Sequence, residues 1–177
     1  RAARLMGIAI KGARVAIQGA GNVGGTAARL FSRAGAKVVA ISDINGGIYN
    51  SRGLNVAKAL QCKQDNNCFM KGGIDGDEIS NEELLQTECD ILVPAAMENQ
   101  ITEAIAGKLR CRMIIEGANG PTTPAADAVL KQKDIYLVPD ILANAGGIVV
   151  SYFEWVQNLQ ELLWSEDEIY QRLRRYP

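Results

Sequence analysis

An α/β fold with a mostly parallel sheet is predicted by three features of the sequence. The first is residues 14–43, RVAIQGAGNVGGTAARLFSRAGAKVVAISD, which place a short apolar run, a glycine turn, a helix-like segment, a second apolar run and an acid in that order. The second is the recurrence of short apolar runs at 90–94, 113–115 and 135–138, with helix-patterned segments between them. Strands alternating with helices put helices on both faces of a parallel sheet. The third is the set of small residues and amides at the ends of these runs, in Pro94-Ala95-Ala96, Gly117-Ala118-Asn119-Gly120 and Asn144-Ala145-Gly146-Gly147. Ligands of open parallel sheets bind beyond the carboxyl ends of the strands. The expected architecture is therefore Rossmann-like and doubly wound.

Residues 1–10 read as the end of an incoming helix, with Ala2, Leu5, Met6 and Ala9 on one face and Gly12 as its stop. The chain opens on Arg1 without an N-cap, which reads as a processed or trimmed start. After the first strand, Gly19-Ala20-Gly21-Asn22-Val23-Gly24 is a G-x-G-x-x-G, and Asp43 arrives nineteen residues after Gly24. A bare glycine motif is weak. With a strand before it, a helix after it and an acid at this distance, it is specific to dinucleotide binding. Gly19 permits the tight turn, Gly21 lets backbone approach a pyrophosphate, and Gly24 lets helix pack on strand. The helix N-terminus offers free N–H groups to phosphate, and Asp43 accepts hydrogen bonds from a ribose diol.

Asn45-Gly46-Gly47 is then a turn, with Ile48-Tyr49 a short extended piece and residues 54–60 a short amphipathic helix. Residues 61–77 are polar and loop-like. Ser80-Asn81-Glu82-Glu83 is a capping box for a helix through Leu84 and Leu85. Thr102 caps a helix over 103–109, and Thr123-Pro124 puts a cap and an N1 proline at the head of a helix through Leu130. Gly146-Gly147 opens an apolar helix over 148–164, and Ser165 begins a last charged one. That apolar helix carries more hydrophobic surface than one sheet face uses. The domain reading is 1–10, end of an incoming helix; 11–147, dinucleotide-binding domain; 148–177, C-terminal helices packing on a domain outside this sequence.

The composition excludes several classes. Of 177 residues, 47% are hydrophobic and 22% charged, enough for a sizeable core. Nineteen basic against 20 acidic residues give net −1 without a basic block, so neither nucleic acid nor an anionic membrane is the expected partner. No apolar run reaches the ~18 residues of a membrane span. Histidine is absent, and Cys62, Cys68, Cys89 and Cys111 form no C-x-x-C, so no metal site is expected. Cys89 and Cys111 flank strands as small hydrophobes. A Cys62–Cys68 pairing or oxidation is open in principle, but the cytoplasmic look of the rest argues against it.

The segments AIQGAGNVG, GAKVVAISDINGGIYN, CDILVPAAMENQIT, EGANGPTTPAAD and PDILANAGGIVVSYFEWVQN resemble, in family order, the coenzyme-binding domain of the glutamate/leucine/phenylalanine/valine dehydrogenases. SYFEWVQN is most similar to the glutamate branch. The resemblance implies a two-domain enzyme that oxidises L-glutamate to 2-oxoglutarate and ammonia reversibly, with NAD as cofactor and NADP left open, working as a homo-oligomer, a hexamer. It places no catalytic residue on this chain: the family's lysine and aspartate belong to an upstream domain, so this chain alone is expected to be inactive. It implies cofactor contacts from Gly19, Gly21, Asn22, Val23, Gly24, Asp43, Ile44, Ala95, Ala96, Asn119 and Asn144. Asn22 would lie at the pyrophosphate, Asp43 at the adenosine ribose, and Asn119 and Asn144 at the nicotinamide. It gives the substrate Ile148 and Ser151, with the Ser151 hydroxyl on the glutamate side-chain carboxylate. A Ser151 hydroxyl bonded back within its helix is the competing account. A free-standing NAD-binding module without catalysis, or the same domain of a leucine, phenylalanine or valine enzyme, is the alternative reading. Lys37 and Arg52 are the cations near Asp43 in sequence that would neutralise the phosphate of NADP.

Overall fold

Each predicted apolar run forms a strand, and the strands pair side by side. In the computed structural model, which describes residues 2–66, 69 and 73–175, β1 (Arg14–Gln18), β2 (Lys37–Asp43), β5 (Ile91–Pro94), β6 (Met113–Ile115) and β7 (Tyr136–Val138) run parallel. Two antiparallel strands, β3 (Gly46–Tyr49) and β4 (Asp77–Ile79), extend one edge. The order is β4-β3-β2-β1-β5-β6-β7. The chain winds outward from β1 in one direction and returns to its other side at β5. That reversal opens a crevice above the carboxyl ends of β1 and β5.

The sheet is buried on both faces, as the near-continuous apolar strands require. On one face, Val15, Ile17, Val38, Ile41, Ile91 and Val93 pack with Ala28 of α2 (Asn22–Arg33) and Ala59 and Leu60 of α3 (Val56–Asn66). On the other, Ala16, Val39, Ala40, Leu92 and Ile114 pack with α4 (Asn81–Leu85), α5 (Glu103–Lys108) and α6 (Pro124–Gln132) through Leu84, Leu85, Ala106 and Leu130. Strict alternation would put Val38 and Ala40 on one face. They face opposite ways because the β1–β2 register shifts between Val15 and Ala16, which pair with Val38 and Ala40. This bulge inserts Val39 and turns the end of β2.

Several local expectations are corrected. The first helix, α1 (Ala2–Leu5), ends before Gly7 and not at Gly12: the Ile8 N–H reaches the Ala3 carbonyl and the Gly7 N–H that of Arg4, a Schellman ending. The stretch 61–77 is not all loop. Helix α3 runs to Asn66, and β4 begins at Asp77, where three polar or mixed residues at a sheet edge give no apolar signal. Thr123 precedes α6, but its hydroxyl donates to the Ile101 carbonyl instead of accepting from the helix. A short helix, α7 (Asp140–Ala143), stands between β7 and α8 (Ala145–Gln160), so Gly146 and Gly147 lie inside α8 and do not open it. α8 stops at Gln160, where Glu161 takes a left-handed turn, short of the expected Trp164. The capping box at Ser80 is formed, and Ser165, which opens α9 (Glu166–Leu173), makes a second one that the sequence reading did not name.

No helix among the described residues is long and apolar enough to cross a membrane. Cys68 lies outside the described residues. Cys89 and Cys111 stand two residues before the paired Ile91 and Met113, both buried. Burial pushes both thiols up, that of Cys111 to about 12, and for Cys89 the neighbouring Cys111 adds to the effect. Neutral, buried thiols do not act as nucleophiles. With iodoacetamide at pH 8, mass spectrometry should therefore find Cys89 and Cys111 unmodified in the native protein and modified in denaturant.

Candidate cofactor-binding site

The three motif glycines meet three different surroundings. Gly19, immediately after β1, has a φ of +93°, and a Cβ there would come within 2.6 Å of the Ala95 carbonyl oxygen beyond β5. At Gly24 a Cβ would land on the Gly19 carbonyl and 3.3 Å from Ile17 Cγ2, so α2 sits directly against the end of β1. At Gly21 a Cβ would meet nothing within 4 Å. Of the three, Gly21 alone faces open space, the position from which backbone can approach a ligand.

Gly21 is the N-cap of α2 and supplies no side-chain cap. The N–H groups of Asn22, Val23 and Gly24 begin a twelve-residue helix without side-chain acceptors, at the positive end of its dipole. From α3, Lys63 donates through Nζ to the Ala20 carbonyl at 2.8 Å, tying the turn to the neighbouring helix. Asn22, Arg29 and Lys63 line a cleft of ≈ 490 Å³ between α2 and α3. Val23, by contrast, borders the main crevice.

Asp43 ends β2 beside the turn, since Ser42 is the register partner of Gln18 and its carbonyl accepts from the Gly19 N–H at 3.1 Å. Its Oδ1 accepts from the Asn45 N–H at 2.8 Å, which orients the carboxylate and leaves further lone pairs for other donors. Asn81, at the start of α4, braces the strand end: its amide donates to the Asp43 carbonyl at 2.8 Å and accepts from the Ser42 hydroxyl at 2.7 Å. Ile44 is next in the chain, 90% exposed. Lys37 and Arg52 do not neutralise Asp43. Lys37 starts β2, six residues and about 20 Å from Asp43 at ~3.3 Å per residue. Gly53 packs on Lys37, so Arg52 is at that same far end, and its guanidinium pairs with Asp75 at 2.9 Å.

The main crevice is a cleft of ≈ 800 Å³. Ala95 and Ala96 form one side and Asn119 and Asn144 another, with Ile148 and Ser151 of α8 beyond them. The two amides are bonded: Asn144 Nδ2 donates to Asn119 Oδ1 at 2.6 Å. This leaves the NH₂ of Asn119 and the carbonyl of Asn144 available, one donor and one acceptor, the complement of a primary carboxamide. Ile148 is 76% exposed and three residues before Ser151, on the same helix face. Among the described residues Ser151 makes no side-chain hydrogen bond, so the back-bonded account of its hydroxyl is not the one the structure adopts.

All the sequence-predicted site residues thus fall at the carboxyl edge of the sheet, but in two clefts and at one strand end. Reading by motif missed Lys63, Asn81, Glu116 and Asp140. Lys63 lay in the stretch read as loop, Asn81 stood only inside a capping box, and Glu116 and Asp140 appeared only within the segments EGANGPTTPAAD and PDILANAGGIVVSYFEWVQN.

A glycine turn, an uncapped helix end, an acid on the second strand and a paired-amide cleft together define a dinucleotide-binding domain. The sequence model of the Glutamate/Leucine/Phenylalanine/Valine dehydrogenase family matches residues 1–177, and the chain belongs to that family. It is 51% identical over 174 residues to the cryptic catabolic NAD-specific glutamate dehydrogenase GudB of Bacillus subtilis, covering 98% of this chain and 40% of that protein. It is 49% identical to the glutamate dehydrogenase of Thermotoga maritima, covering 97% and 41%. Among solved structures, the hetero-hexameric glutamate dehydrogenase of Thermus thermophilus in its Leu-bound form superposes with a TM-score of 0.90 at 34% identity, over 97% of this chain and 40% of that one. The chain spans about 40% of the length of the curated relatives it matches.

The glycines separate folding from binding. Gly24→Ala should fail to give a cooperatively folded protein, because backbone stands where the methyl must go. Gly21→Ala should melt within a few degrees of wild type, an N-cap change worth below about 1 kcal/mol. It should nevertheless weaken dinucleotide binding by tenfold or more in calorimetry.

Proposed function

We propose that this chain is the coenzyme-binding domain of an NAD-dependent glutamate dehydrogenase, which converts L-glutamate reversibly to 2-oxoglutarate and ammonia. The observation that carries the reading is the bonded Asn119–Asn144 pair, which offers a carboxamide complement in the cleft beyond the glycine turn. In this reading the adenosine ribose lies on Asp43, with Ile44 against the adenine. The pyrophosphate lies on the amides of Gly21, Asn22, Val23 and Gly24. Ala95 and Ala96, lacking bulk, let the nicotinamide ribose lie on backbone, and the amide pair holds the carboxamide.

A nicotinamide held by Asn119 and Asn144 would supply the hydride chemistry, taking a hydride from the substrate's α-carbon or giving it back. The residues of this chain orient and specify. Fixing the carboxamide fixes which ring face is turned to the substrate, and holding the reacting groups in one geometry is worth several kcal/mol of barrier. Ser151, with Ile148 beside it, forms the wall that receives the glutamate side chain. The family's catalytic lysine and aspartate would come from the domain that precedes this one in its relatives. The exposed apolar residues of the C-terminal helices, Ile148, Trp155, Leu159 and Leu163 among them, are the surface on which we seat that domain. The full protein is proposed to be hexameric, as the Thermus thermophilus relative is.

Two measurements test the assignment. Asp43 repels a 2′-phosphate of close to two negative charges, with Lys37 and Arg52 too distant to offset it. Calorimetry should therefore find NAD bound at least tenfold more tightly than NADP, and Asp43→Ser should narrow that ratio. Equal binding by wild type would overturn the role given to Asp43. At the other end, a hydroxyl donating to a carboxylate contributes roughly 1.5–3 kcal/mol. Ser151→Ala in the full-length enzyme should lower kcat/KM for glutamate about 10- to 100-fold while leaving norvaline, which lacks the carboxylate, nearly unchanged. Equal losses on both substrates would make Ser151 a helix-packing residue.

A further inference from the structure

The amide pair joins two segments 25 residues apart, the loop after β6 and the start of α8, and nothing in the amides themselves keeps those segments in register. A separate set of bonds does. The Asp140 carboxylate accepts from the Gly120 N–H at 2.8 Å through Oδ2 and from the Ile141 N–H at 2.6 Å through Oδ1. Gly120 is the residue after Asn119. The Asp140 carbonyl accepts from the Asn144 N–H at 2.9 Å. One residue therefore touches the backbone beside the first amide with its side chain and the backbone of the second amide with its main chain. Asp140 is itself seated from below. Its own N–H donates to Glu116 Oε2 at 2.9 Å, and Glu116, at the end of β6, is only 5% exposed.

Two carboxylates this close to a crevice invite a reading as catalytic acids. Their bonds argue otherwise. Asp140 accepts a backbone N–H on each carboxylate oxygen and Glu116 accepts one on Oε2, and neither side chain borders the main cleft. We propose that Asp140, held by Glu116, is the positioning residue that brings Asn119 and Asn144 together and so sets the carboxamide-binding end of the cleft; this rests on the cofactor reading given above. The charge suits the task. A carboxylate accepts from two backbone N–H groups at once and strengthens both bonds. An amide in its place keeps one acceptor and turns an NH₂ toward the other donor.

The test uses full-length protein and two probes, the reduced cofactor NADH and ADP-ribose, which carries everything except the nicotinamide. Asp140→Asn should weaken NADH binding about 10- to 30-fold and leave ADP-ribose within twofold. In an Asn119→Ala background, where the amide pair is already gone, Asp140→Asn should cost less than twofold more. Equal losses for NADH and ADP-ribose would overturn the proposal, because Asp140 would then support the whole domain. No loss, or an undiminished loss in the Asn119→Ala background, would overturn it too. If Asp140→Asn does not fold, Glu116→Ala, which removes the seat and leaves the carboxylate, should show the same split between probes. The cofactor reading itself fails on a different result: wild type binding NADH no more tightly than ADP-ribose, or Asn119→Ala leaving NADH unaffected. In that case there is no carboxamide site for Asp140 to set.

Discussion

Helix α2 stands against the end of β1 with Gly24 on the Gly19 carbonyl, and the Gly19 backbone in turn lies against Ala95 beyond β5. Three backbone segments meet where most folds would interpose side chains. That contact closes the switch point of the sheet and holds the free N–H groups of α2 over it. It also lets Ala28, one turn further on, join Val15 and Ile17 in the core. A larger residue at either glycine would lift the helix, and both the core beneath it and the placement of the N–H groups at its tip would be lost together. Folding and ligand geometry are the same constraint here.

Away from that contact, two kinds of interaction share the structure. Apolar burial on both faces supplies the stability, at about 1.5–3 kcal/mol for each fully buried Leu, Ile or Val. It is indifferent to direction and does not aim a side chain at a ligand. Aiming is left to short polar links at the carboxyl edge: Lys63 on Ala20, Asn81 on Ser42 and Asp43, Asn119 on Asn144. Each ties a loop or strand end to a helix from a different part of the chain. The β1–β2 bulge belongs with them. By inserting Val39 it turns Ala40 to the face opposite Val38, and β2 then ends with Asp43 beside the glycine turn.

Much of this was legible in residue order. The five parallel strands, the glycine turn, Asp43 and the Ser80 capping box all carry local signals, because their physics is local: periodicity, a needed positive φ, a hydroxyl three residues before a glutamate. β4 was not legible, since Asp77–Ile79 owes its pairing to an existing edge and not to its own composition. Thr123 has the pattern of a cap and does another job: its hydroxyl donates to the Ile101 carbonyl, on a segment 22 residues away in sequence. Lys37 and Arg52 show the sharpest limit. Sequence distance placed them near Asp43, and a strand's length put them at the opposite end of the sheet. Asp140 and Asn81 were invisible as site residues, for their partners are 20 and 38 residues away.

The wall of the crevice formed by α8 has a different footing from the rest. Its principal neighbours are α7 and α9, not the sheet. Its one buried side chain is Phe153, whose ring meets Trp164 edge-on at 5.8 Å, and Arg172 lies 3.8 Å over that same indole. This small aromatic cluster keeps α8 and α9 together. The position of Ser151 and Ile148 relative to Ala95 and Ala96 therefore depends on the links at the head of α8, where Asn144 meets Asn119 and Asp140 meets Gly120. Apolar packing resists displacement in every direction through many weak contacts. A pair of hydrogen bonds resists it in only one or two. In a cleft built this way the amide pair is the directly linked part, and Ile148 and Ser151 take their places from the few polar links at the head of α8.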